Sequence, residues 1–559
     1  MKILFLGRHY TYFRNFDSVI RELASRDHTI HLAVDRGDPE GLGGQKLVEA
    51  IAADYPGVTY GEAPGRVDDR WTWTAGRLRL GIDYLRYQQA LFDRAPKLRE
   101  RSRERTPAFF VAAGGRLRAI GGWALEGFSR LVRRLEGALP EEPAIGAFVD
   151  LHHPDLVLVT PLLSLGSSQI DYLRAARARR IPTALCVWSW DHLSSKALIR
   201  EWPDRVFVWN DTQRREAIEL HGLAADRVVV TGAQCFDQWF DRPPSRTRDE
   251  FCTQAGLPAD RPYVLYVCSA LLHGSPPEAP FVQDWMHRLR ASASPRLRDA
   301  GILVRPHPSR SAEWLGVETG DVNAVVWGSN PVDVQSKADY YDSLYHAAAV
   351  VGINTSAFIE AAIVGRPVHT LVLPETEENQ TGTVHFDYLR RVGGGFLEVA
   401  HGFDEHLAQL DRTLESRRHE VKPFVREFVR PHGLNRPATP IFADQVEAMA
   451  PLVPASVPQD PLLPLWRWVL QRLARLQHRE SAERWVLSAR EYASVLRLRQ
   501  LRDAKTTRRP GDRAAREAAR LAEREEREAR RAERQRQRDG RRAEWRRAKR
   551  DAGTRTSSQ

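Results

Sequence analysis

Two cations with the chemistry to bind a phosphate stand in a short loop between prolines. Arg305 and His307 alternate with Pro306 and Pro308, directly after an apolar run that ends at Val304. The pyrrolidine rings restrict the backbone, so they fix where the two side chains point. A guanidinium offers paired donors to a phosphate, and an imidazole can donate to a diphosphate or protonate a leaving group. The pattern predicts an anion-binding loop, with His307 a candidate for both binding and catalysis.

A second anion site is predicted where Asn354-Thr355-Ser356 follows another apolar run and opens a helix. Backbone N–H groups and hydroxyls at the start of a helix attract anions. Glu360 lies four residues after Ser356 and therefore on the same helix face, where its carboxylate can accept hydrogen bonds from ribose hydroxyls. We interpret this segment as a nucleotide-diphosphate site. A plain helix cap with a solvated Glu360 is the alternative.

A general base is expected from the N-terminal part of the chain. His9 follows the first apolar run almost at once, which makes it our candidate for deprotonating an acceptor hydroxyl. Asp191 and His192, after the run that ends at Trp188, are the rival candidates. Trp188 and Trp190 either stack on a sugar or pack in the core.

The apolar runs that carry these residues alternate with helical patterns in two series. Strands are predicted at 3–6, 28–34, 155–160, 182–188, 205–209, 227–231, 263–268, 301–304, 348–353 and 367–373. Helices are predicted at 16–24, 169–178, 212–220, 339–349 and 356–364. Such alternation is typical of doubly wound α/β domains, whose functional loops lie at the carboxyl ends of the strands. We therefore predict an α/β fold of two Rossmann-type domains that face a cleft.

Changes in composition set the predicted domain boundaries. The N-terminal, acceptor-binding domain spans 1–240 and is interrupted by a basic helical insert at 66–140. The nucleotide-donor domain spans 241–450, starting with a proline-containing connection. A Pro-rich linker and an amphipathic helix occupy 451–500. The Arg/Glu/Ala-rich tail at 501–559 lacks heptads and is predicted to be a solvated helix or disordered.

Four stretches of the chain resemble the GT-B superfamily of glycosyltransferases. They are RVFVWND at 205–211 with VVVTGA at 228–233, RPHP at 305–308, NTS at 354–356 with GRP at 365–367, and the polar loop at 377–386. The likeness is to the bacterial branch around CDP-glycerol glycerophosphotransferases, capsule polysaccharide glycosyltransferases and UDP-N-acetylglucosamine 2-epimerases. It covers roughly residues 1–450 outside the insert. The resemblance implies a GT-B fold with a nucleotide-activated donor on the second domain.

The resemblance also implies a set of donor contacts. They are Ser269, Arg305, His307, Asn354, Thr355, Ser356, Glu360, Thr383 and His385. Two departures matter. The glycerophosphotransferases usually show an acidic residue and Tyr before two serines, where this chain has Asn354-Thr355-Ser356. The epimerases show a Glu-Glu pair, where only Glu360 is present. A sugar transferase is therefore our interpretation. A glycerophosphotransferase, a 2-epimerase and a catalytically silent scaffold are the alternatives.

No metal or other cofactor is expected, because helix dipoles and cations stabilise the departing diphosphate in such folds. The sequence agrees, since it has no D-x-D motif and no His cluster with zinc spacing. The predicted partners are a nucleotide-sugar donor and a polysaccharide or lipid-linked acceptor of the cell envelope. The sequence leaves the oligomeric state open.

The basic charge of the chain is concentrated in two appendages. There are 83 Lys and Arg against 72 Asp and Glu, a formal net charge of +11. The tail at 501–559 carries +10, from 21 basic and 11 acidic residues. The insert at 66–140 carries +8, from 16 basic and 8 acidic residues, so the remaining body is mildly acidic. This distribution argues against nucleic acid as a partner.

Aromatic residues and arginines alternate in the insert and in the helix predicted at 462–477. In the insert these are Trp71, Trp73, Tyr84 and Tyr87 with Arg70, Arg77, Arg79 and Arg86. For the insert, a solvated helical cover is one interpretation, and docking on an anionic membrane surface or a lipid-diphosphate acceptor is the other. For the helix at 462–477, packing on the body or on a partner is one interpretation, and an interfacial membrane helix is the other.

Compartment is predicted from cysteines and from the apolar runs. Cys186, Cys235, Cys252 and Cys268 stand apart, which argues against a disulfide framework and for a reducing cytosol. The first apolar run is too short for a signal peptide, and no stretch approaches the roughly 18 apolar residues of a membrane span. We predict a cytoplasmic protein, either free or peripheral on the inner face of the membrane.

Overall fold

The computed structural model of the chain describes residues 1–39, 43–67, 69–93, 95–272, 274–317, 319–320, 322–416, 421–454, 460–476 and 485–506. The chain divides into two compact units, Met1–Ala489 and Arg490–Gln559. Both sheets belong to the first unit. The predicted tail at 501–559 lies outside the described residues, apart from the helical backbone of 501–506.

The first sheet has seven parallel strands. They are β1 (Lys2–Gly7), β2 (Thr29–Val34), β3 (Val58–Glu62), β4 (Leu156–Val159), β5 (Thr183–Cys186), β6 (Arg205–Val208) and β7 (Val228–Val230). Their order is β3-β2-β1-β4-β5-β6-β7. The chain thus reverses its direction of travel between β1 and β4, which pair through Ile3 and Leu156. Every side chain of β4 and β5 is buried, because helices cover both faces of a parallel sheet.

The second sheet has six parallel strands with the same topology. They are β8 (Tyr263–Val267), β9 (Gly301–Arg305), β10 (Ala324–Val326), β11 (Ala349–Gly352), β12 (Val368–Leu371) and β13 (Leu397–Ala400). Their order is β10-β9-β8-β11-β12-β13. The reversal falls between β8 and β11, which pair from Val264 with Ala349 to Val267 with Gly352. Polar residues after these strands are therefore brought together at a topological switch point.

Helices flank both sheets. The α-helices are α1 (Asp17–Ser25), α2 (Gly44–Asp54), α3 (Asp69–Tyr87), α4 (Pro96–Arg105), α5 (Ala108–Ile120), α6 (Gly122–Gly137), α7 (Pro143–His152), α8 (Ile170–Ala178), α9 (His192–Ser195), α10 (Asp211–His221), α11 (Arg248–Ala255), α12 (Glu278–Arg290), α13 (Pro295–Arg298), α14 (Val334–Tyr345), α15 (Ala357–Ile363), α16 (Phe386–Arg391), α17 (Phe403–Ser416), α18 (Lys422–Phe424), α19 (Ala438–Glu447), α20 (Leu463–Leu476) and α21 (Ala489–Thr506).

The two sheets confirm the predicted α/β fold class. All ten predicted strands are present, with ends that differ by at most two residues. Gly222 ends α10 in the left-handed conformation, which glycine adopts without strain. Three strands were missed, β3, β10 and β13. They lie at sheet edges and are short or partly exposed, so their apolar patterns are weak.

Helix α19 packs on the first sheet although it comes after the second one. The Phe442 ring lies 5.0 Å from Phe207 and 6.0 Å from Phe16, measured between centroids. Arg26 Nη1 adds an ion pair to Asp444 at 2.7 Å. The end of the range that we assigned to the donor domain therefore contributes to the core of the first domain.

The basic insert forms helices α3 to α6, and buried ion pairs fix it to the first domain. Arg79 lies 2.7 Å from Asp171 and 2.8 Å from Glu136, and all three side chains are buried. Arg200 of the first domain pairs at 2.7 Å with the buried Asp83 of α3. The interpretation of the insert as a solvated helical cover is therefore wrong in part. Arg79, Arg86, Tyr84 and Tyr87 are buried.

Helix α20 packs on the insert. Its Leu470 and Ala474 are buried, and Leu470 joins the apolar core of α3 and α6. This supports the packed interpretation of the amphipathic helix predicted at 462–477. Within the part of the chain that the structure describes, no helix has the length and apolar character to cross a membrane.

Candidate functional site

A cleft of about 480 Å³ lies between the two sheets and is lined by residues of both domains. The second domain contributes residues that follow β8, β9 and β11. The first domain contributes residues that follow β1, β5 and β6. The carboxyl ends of two parallel sheets thus face one space, which is the arrangement that the sequence predicted.

Arg305 ends β9 and lies in the wall of the cleft. Its guanidinium is buried between aromatic rings, 5.1 Å from the centroid of Tyr340 and 5.6 Å from that of Trp327. Nη2 donates to the Ser329 carbonyl at 3.2 Å, but Nη1 has no hydrogen-bond partner among the described residues. A buried N–H group without a partner is costly, so this group is suited to an anion that enters the cleft.

Gly328 makes room for this guanidinium. Its φ is +107°, and a Cβ atom there would lie 2.4 Å from Arg305 Cζ. Any larger residue would be strained by its backbone and would displace the arginine. The position of Arg305 therefore depends on a glycine that was not singled out from the sequence.

His307 lies on the same wall. Its side chain caps the helical turn Pro308–Trp314, and this hydrogen bond fixes the tautomer of the imidazole. Nδ1 accepts the Ser309 N–H at 3.2 Å and lies 2.8 Å from Ser309 Oγ. Burial and the charge of Arg310 lower the pKa of His307, so the ring is neutral and carries its proton on Nε2. His307, which lines the cleft, therefore carries a neutral N–H donor. This favours hydrogen bonding to a ligand over protonation of a leaving group.

Glu360 of α15 also lines the cleft and accepts a hydrogen bond from the Tyr340 hydroxyl. Burial raises the pKa of Glu360 to about 7, although this hydrogen bond and the charge of Arg14 act in the opposite direction. The carboxylate and its acid are thus both populated near neutral pH. Tyr340 was not found from the sequence, because its contact with Glu360 joins α14 to α15.

The predicted segment 354–356 is divided between two environments. Thr355 and Ser356 line the cleft. Asn354 does not; its N–H donates to Ser269 Oγ at 3.1 Å and its Nδ2 to the Asn379 carbonyl at 2.6 Å. Helix α15 starts at Ala357 and has only seven residues.

Ser269 and Thr383 lie behind the cleft wall and not in it. Ser269 is fully buried, and its N–H donates to Glu278 Oε2 at 2.7 Å. The Thr383 hydroxyl donates to the Gln380 carbonyl at 2.8 Å. Both side chains therefore support loops that carry other predicted contacts, and neither reaches the lined surface of the cleft.

His9 is held away from the cleft. Its Nδ1 lies 3.5 Å from Asp38 Oδ1, and its ring centroid lies 4.5 Å from that of Tyr12. Tyr12 in turn packs at 5.0 Å against Trp188, which does line the cleft. Position after β1 was therefore not sufficient to place this side chain among the residues that line the cleft.

Asp191 is an ionised carboxylate with many donors. Lys196 Nζ lies 2.8 Å from Oδ2, Ser195 Oγ donates at 2.6 Å, and the Ser189 hydroxyl donates to Oδ1. Despite burial, the Lys196 ammonium and the Ser189 hydroxyl hold the pKa of Asp191 well below its usual range. Such a group is poorly suited to accept a proton and better suited to position its neighbours.

The Asp191 loop meets the second domain at His385. The ring of the neighbouring Trp190 is nearly perpendicular to the imidazole, with 4.6 Å between the two centroids. Burial lowers the pKa of His385 to about 4, with Asp191 acting in the other direction. His192, the other candidate of this loop, is fully buried, and burial lowers its pKa to about 3. Trp190 lines the cleft, whereas His385, a predicted donor contact, packs against Trp190 and is not among the lining residues.

The wall contributed by the first domain contains a cation that the sequence did not reveal. Arg14 lines the cleft and makes no ion pair with any described residue, although its charge acts on Glu360 across the domains. Gln234 and Asn15 are also there, joined by a 3.0 Å hydrogen bond from Gln234 Nε2 to the Asn15 carbonyl. The turn Tyr10–Phe16 carries Arg14 and Asn15, and only the folded chain brings this turn opposite Glu360.

No group of three or more His, Cys, Asp or Glu side chains that could hold a metal ion occurs within the described ranges. The expectation of metal-independent chemistry stays a prediction.

Comparisons with known proteins give structural likenesses only. No family model matches the chain, and no curated protein matches it in sequence. One similar solved structure is the putative UDP-N-acetylglucosamine 2-epimerase of Listeria monocytogenes, with 12% identity over 82% of this chain and 99% of that one and a TM-score of 0.45. Another is a glycosyltransferase of Rickettsia africae, with 10% identity over 80% and 97% and a TM-score of 0.45. A third is the UDP-GlcNAc 2-epimerase of Methanocaldococcus jannaschii, with 11% identity over 80% and 99% and a TM-score of 0.43.

Proposed function

We propose that this protein transfers a sugar or sugar-like group from a nucleotide-activated donor to an acceptor hydroxyl. The observation that carries the proposal is the environment of Arg305. A buried guanidinium with an N–H group unpartnered among the described residues lies in a cleft wall beside a neutral imidazole donor. Groups of this kind bind a diphosphate and stabilise the charge that develops on it when it leaves.

In the proposed reaction the acceptor oxygen attacks the anomeric carbon of the donor. The bond from that carbon to the diphosphate oxygen breaks, the nucleoside diphosphate leaves with the bonding electrons, and the proton of the acceptor hydroxyl is released to solvent. Arg305 and the Nε2–H of His307 are assigned to the diphosphate. Glu360 is assigned to the ribose hydroxyls, for which its carboxylate form is the acceptor.

The first domain is assigned to the acceptor. Trp188 and Trp190 offer aromatic surface to the cleft, and Arg14 offers a cation beside them. Apolar rings with a few placed polar groups are typical of sites that orient a small ligand. We extend the proposal to a polysaccharide or lipid-linked acceptor of the cell envelope, used in the cytoplasm beside the inner face of the membrane.

A thermal-shift panel with UDP, CDP, GDP and CMP tests the donor site. We expect at least one nucleoside diphosphate to raise the melting temperature, and Glu360→Ala to abolish this rise. Glu398→Gln serves as the control, since Glu398 is an exposed residue of β13 in the same domain. The absence of a shift with all four nucleotides would remove the main support for the proposal. Turnover of a donor without any acceptor would instead indicate an epimerase or a hydrolase.

A further inference from the structure

The corner between helices α5 and α6 of the insert presents two large apolar side chains to solvent. Ile120 is 60% exposed and Trp123 is 76% exposed. Gly121 and Gly122 join the helices at this point, so the corner has little side-chain cover of its own. An exposed tryptophan and isoleucine at the tip of a helical hairpin form a compact apolar projection, which in a soluble protein indicates a contact surface.

Arginines surround this corner. The buried residues of α6 are Leu125, Ser129, Val132 and Glu136. The opposite, exposed face carries Trp123, Arg130, Leu131 and Arg134. On α5, Arg116 is exposed one helical turn before Ile120. Helix α5 contains no acidic residue, and the acids of α6 are both engaged, Glu126 with Arg130 and Glu136 with Arg79 and Arg174. The corner is thus apolar at its tip and cationic around it.

Helix α20, which packs on the insert through Leu470, has the same composition on its exposed side. Trp468 is 55% exposed, and Arg472 lies 5.4 Å from its ring centroid. No Asp or Glu occurs between Pro461 and Leu476. Two separate elements of one helical body therefore combine exposed tryptophan with arginine and lack free acids.

We propose that the insert docks on an anionic membrane surface through the α5–α6 corner. Tryptophan and isoleucine enter the boundary between headgroups and acyl chains, where an amphipathic ring is most stable. Arginines on the flanks bind lipid phosphates, since the negative surface potential of such a membrane attracts them. The positive charge around the corner favours an anionic membrane over a neutral apolar partner. The proposal does not depend on the donor site, because it uses no residue of the cleft.

The experiment uses the full chain and vesicles of phosphatidylcholine with or without about 30% phosphatidylglycerol. Co-sedimentation is expected with the anionic vesicles and not with phosphatidylcholine alone. The double variant Ile120→Ser/Trp123→Ala is expected to weaken binding at least about tenfold. Leu315→Ser is the matched control, since Leu315 is 82% exposed in the second domain, and it is expected to bind like the native chain.

A second variant tests the charges. Arg116→Gln/Arg130→Gln/Arg134→Gln is expected to reduce the preference for phosphatidylglycerol, most strongly at low salt.

Both variants are expected to keep the native melting temperature and any nucleotide-induced shift, which separates loss of docking from misfolding and from failure of the donor site. Native-like vesicle binding by the Ile120→Ser/Trp123→Ala variant would overturn the proposal, because attachment would then lie elsewhere, as in the tail. A change in its oligomeric state would also overturn it, in favour of a second copy as the occupant.

Discussion

The Tyr340 hydroxyl donates a hydrogen bond to Glu360 Oε2, and this contact connects the two polar halves of the donor wall. The Tyr340 ring also supports the Arg305 guanidinium at 5.1 Å. One side chain from α14 therefore positions a cation after β9 and a carboxylate on α15. The protonation state of Glu360 is set by this contact and by burial, and under the proposed function it decides how the cleft binds a nucleotide.

Nucleotide affinity is expected to rise with pH. Burial raises the pKa of Glu360 to about 7, and only its carboxylate can accept hydrogen bonds from two ribose hydroxyls. Affinity measured by calorimetry is therefore expected to increase between about pH 6 and pH 8, and Glu360→Gln is expected to flatten this profile. Glu398→Gln is the control. An unchanged profile in Glu360→Gln would assign the pH dependence to another group.

The same pKa predicts an opposite effect on the stability of the protein without nucleotide. A carboxyl whose pKa is raised on folding binds more protons in the folded state, so its contribution to stability is present below the unfolded pKa and is lost as pH rises to about 7. Glu360→Gln removes this loss. Urea unfolding between about pH 5 and pH 8 measures it, and a steeper fall in the variant would contradict the assignment.

Tyr340→Phe keeps the ring under Arg305 but removes the donor to Glu360. The pKa of Glu360 is then expected to rise further, because the lost hydrogen bond favoured the carboxylate. Nucleotide affinity at pH 7 is expected to fall by about tenfold, with recovery at higher pH. A fall that no increase in pH restores would instead indicate direct contact between the hydroxyl and the ligand.

Arg305→Lys tests the assignment of the guanidinium. Lysine keeps the charge but loses the planar paired donors and the stacking on Tyr340 and Trp327. We expect nucleotide affinity to fall more than about tenfold, with the fold checked by circular dichroism. The control is Arg298→Lys, an exposed position at the end of α13. If the Arg305→Lys variant binds nucleotide as tightly as the native chain, the proposed function loses its main support.

Glu136→Gln tests how the insert is attached. Despite its burial, Arg174 and Arg79 lower the pKa of Glu136 to about 2, so its contribution to stability is present above the unfolded pKa and lost as pH falls toward 2. At neutral pH the variant is expected to lose about 3–5 kcal/mol of unfolding free energy, because two guanidiniums lose a buried partner. Glu126→Gln, on the exposed side of the same helix, is expected to change stability by less than about 0.5 kcal/mol. Similar values for the two variants would contradict the anchoring role.

Phe442→Ala tests whether α19 is part of the first core. The ring is buried against Phe16 and Phe207, so its removal is expected to cost about 3–5 kcal/mol. Val453→Ala, at an exposed position shortly after the helix, is the control. A loss below about 1 kcal/mol would mean that α19 docks only weakly.

The sequence predicted those parts of the site that depend on position along one strand or one loop. Arg305 and His307 follow β9, and Glu360 follows β11, so the parallel sheet brings them to one edge. His9 follows β1 in the same way, yet its ring packs on Tyr12 and does not line the cleft. The direction of a side chain in a loop depends on contacts with other loops. The apolar pattern of a single strand does not predict those contacts.

The sequence by itself determined the two parallel sheets and their cleft, because buried strands and amphipathic helices are encoded in local apolar periodicity. The tertiary structure alone decided which charges are inside. Arg79 pairs with Asp171, which lies 92 residues away in the chain. An arginine that the sequence assigned to a solvated helix is therefore buried and fixes the insert to the first domain. The exposed apolar face of the insert was decided in the same way, since packing buried Tyr84 and Tyr87 and left Ile120 and Trp123 in solvent. Contacts between residues far apart in the chain depend on how elements pack, and local composition carries no record of that packing.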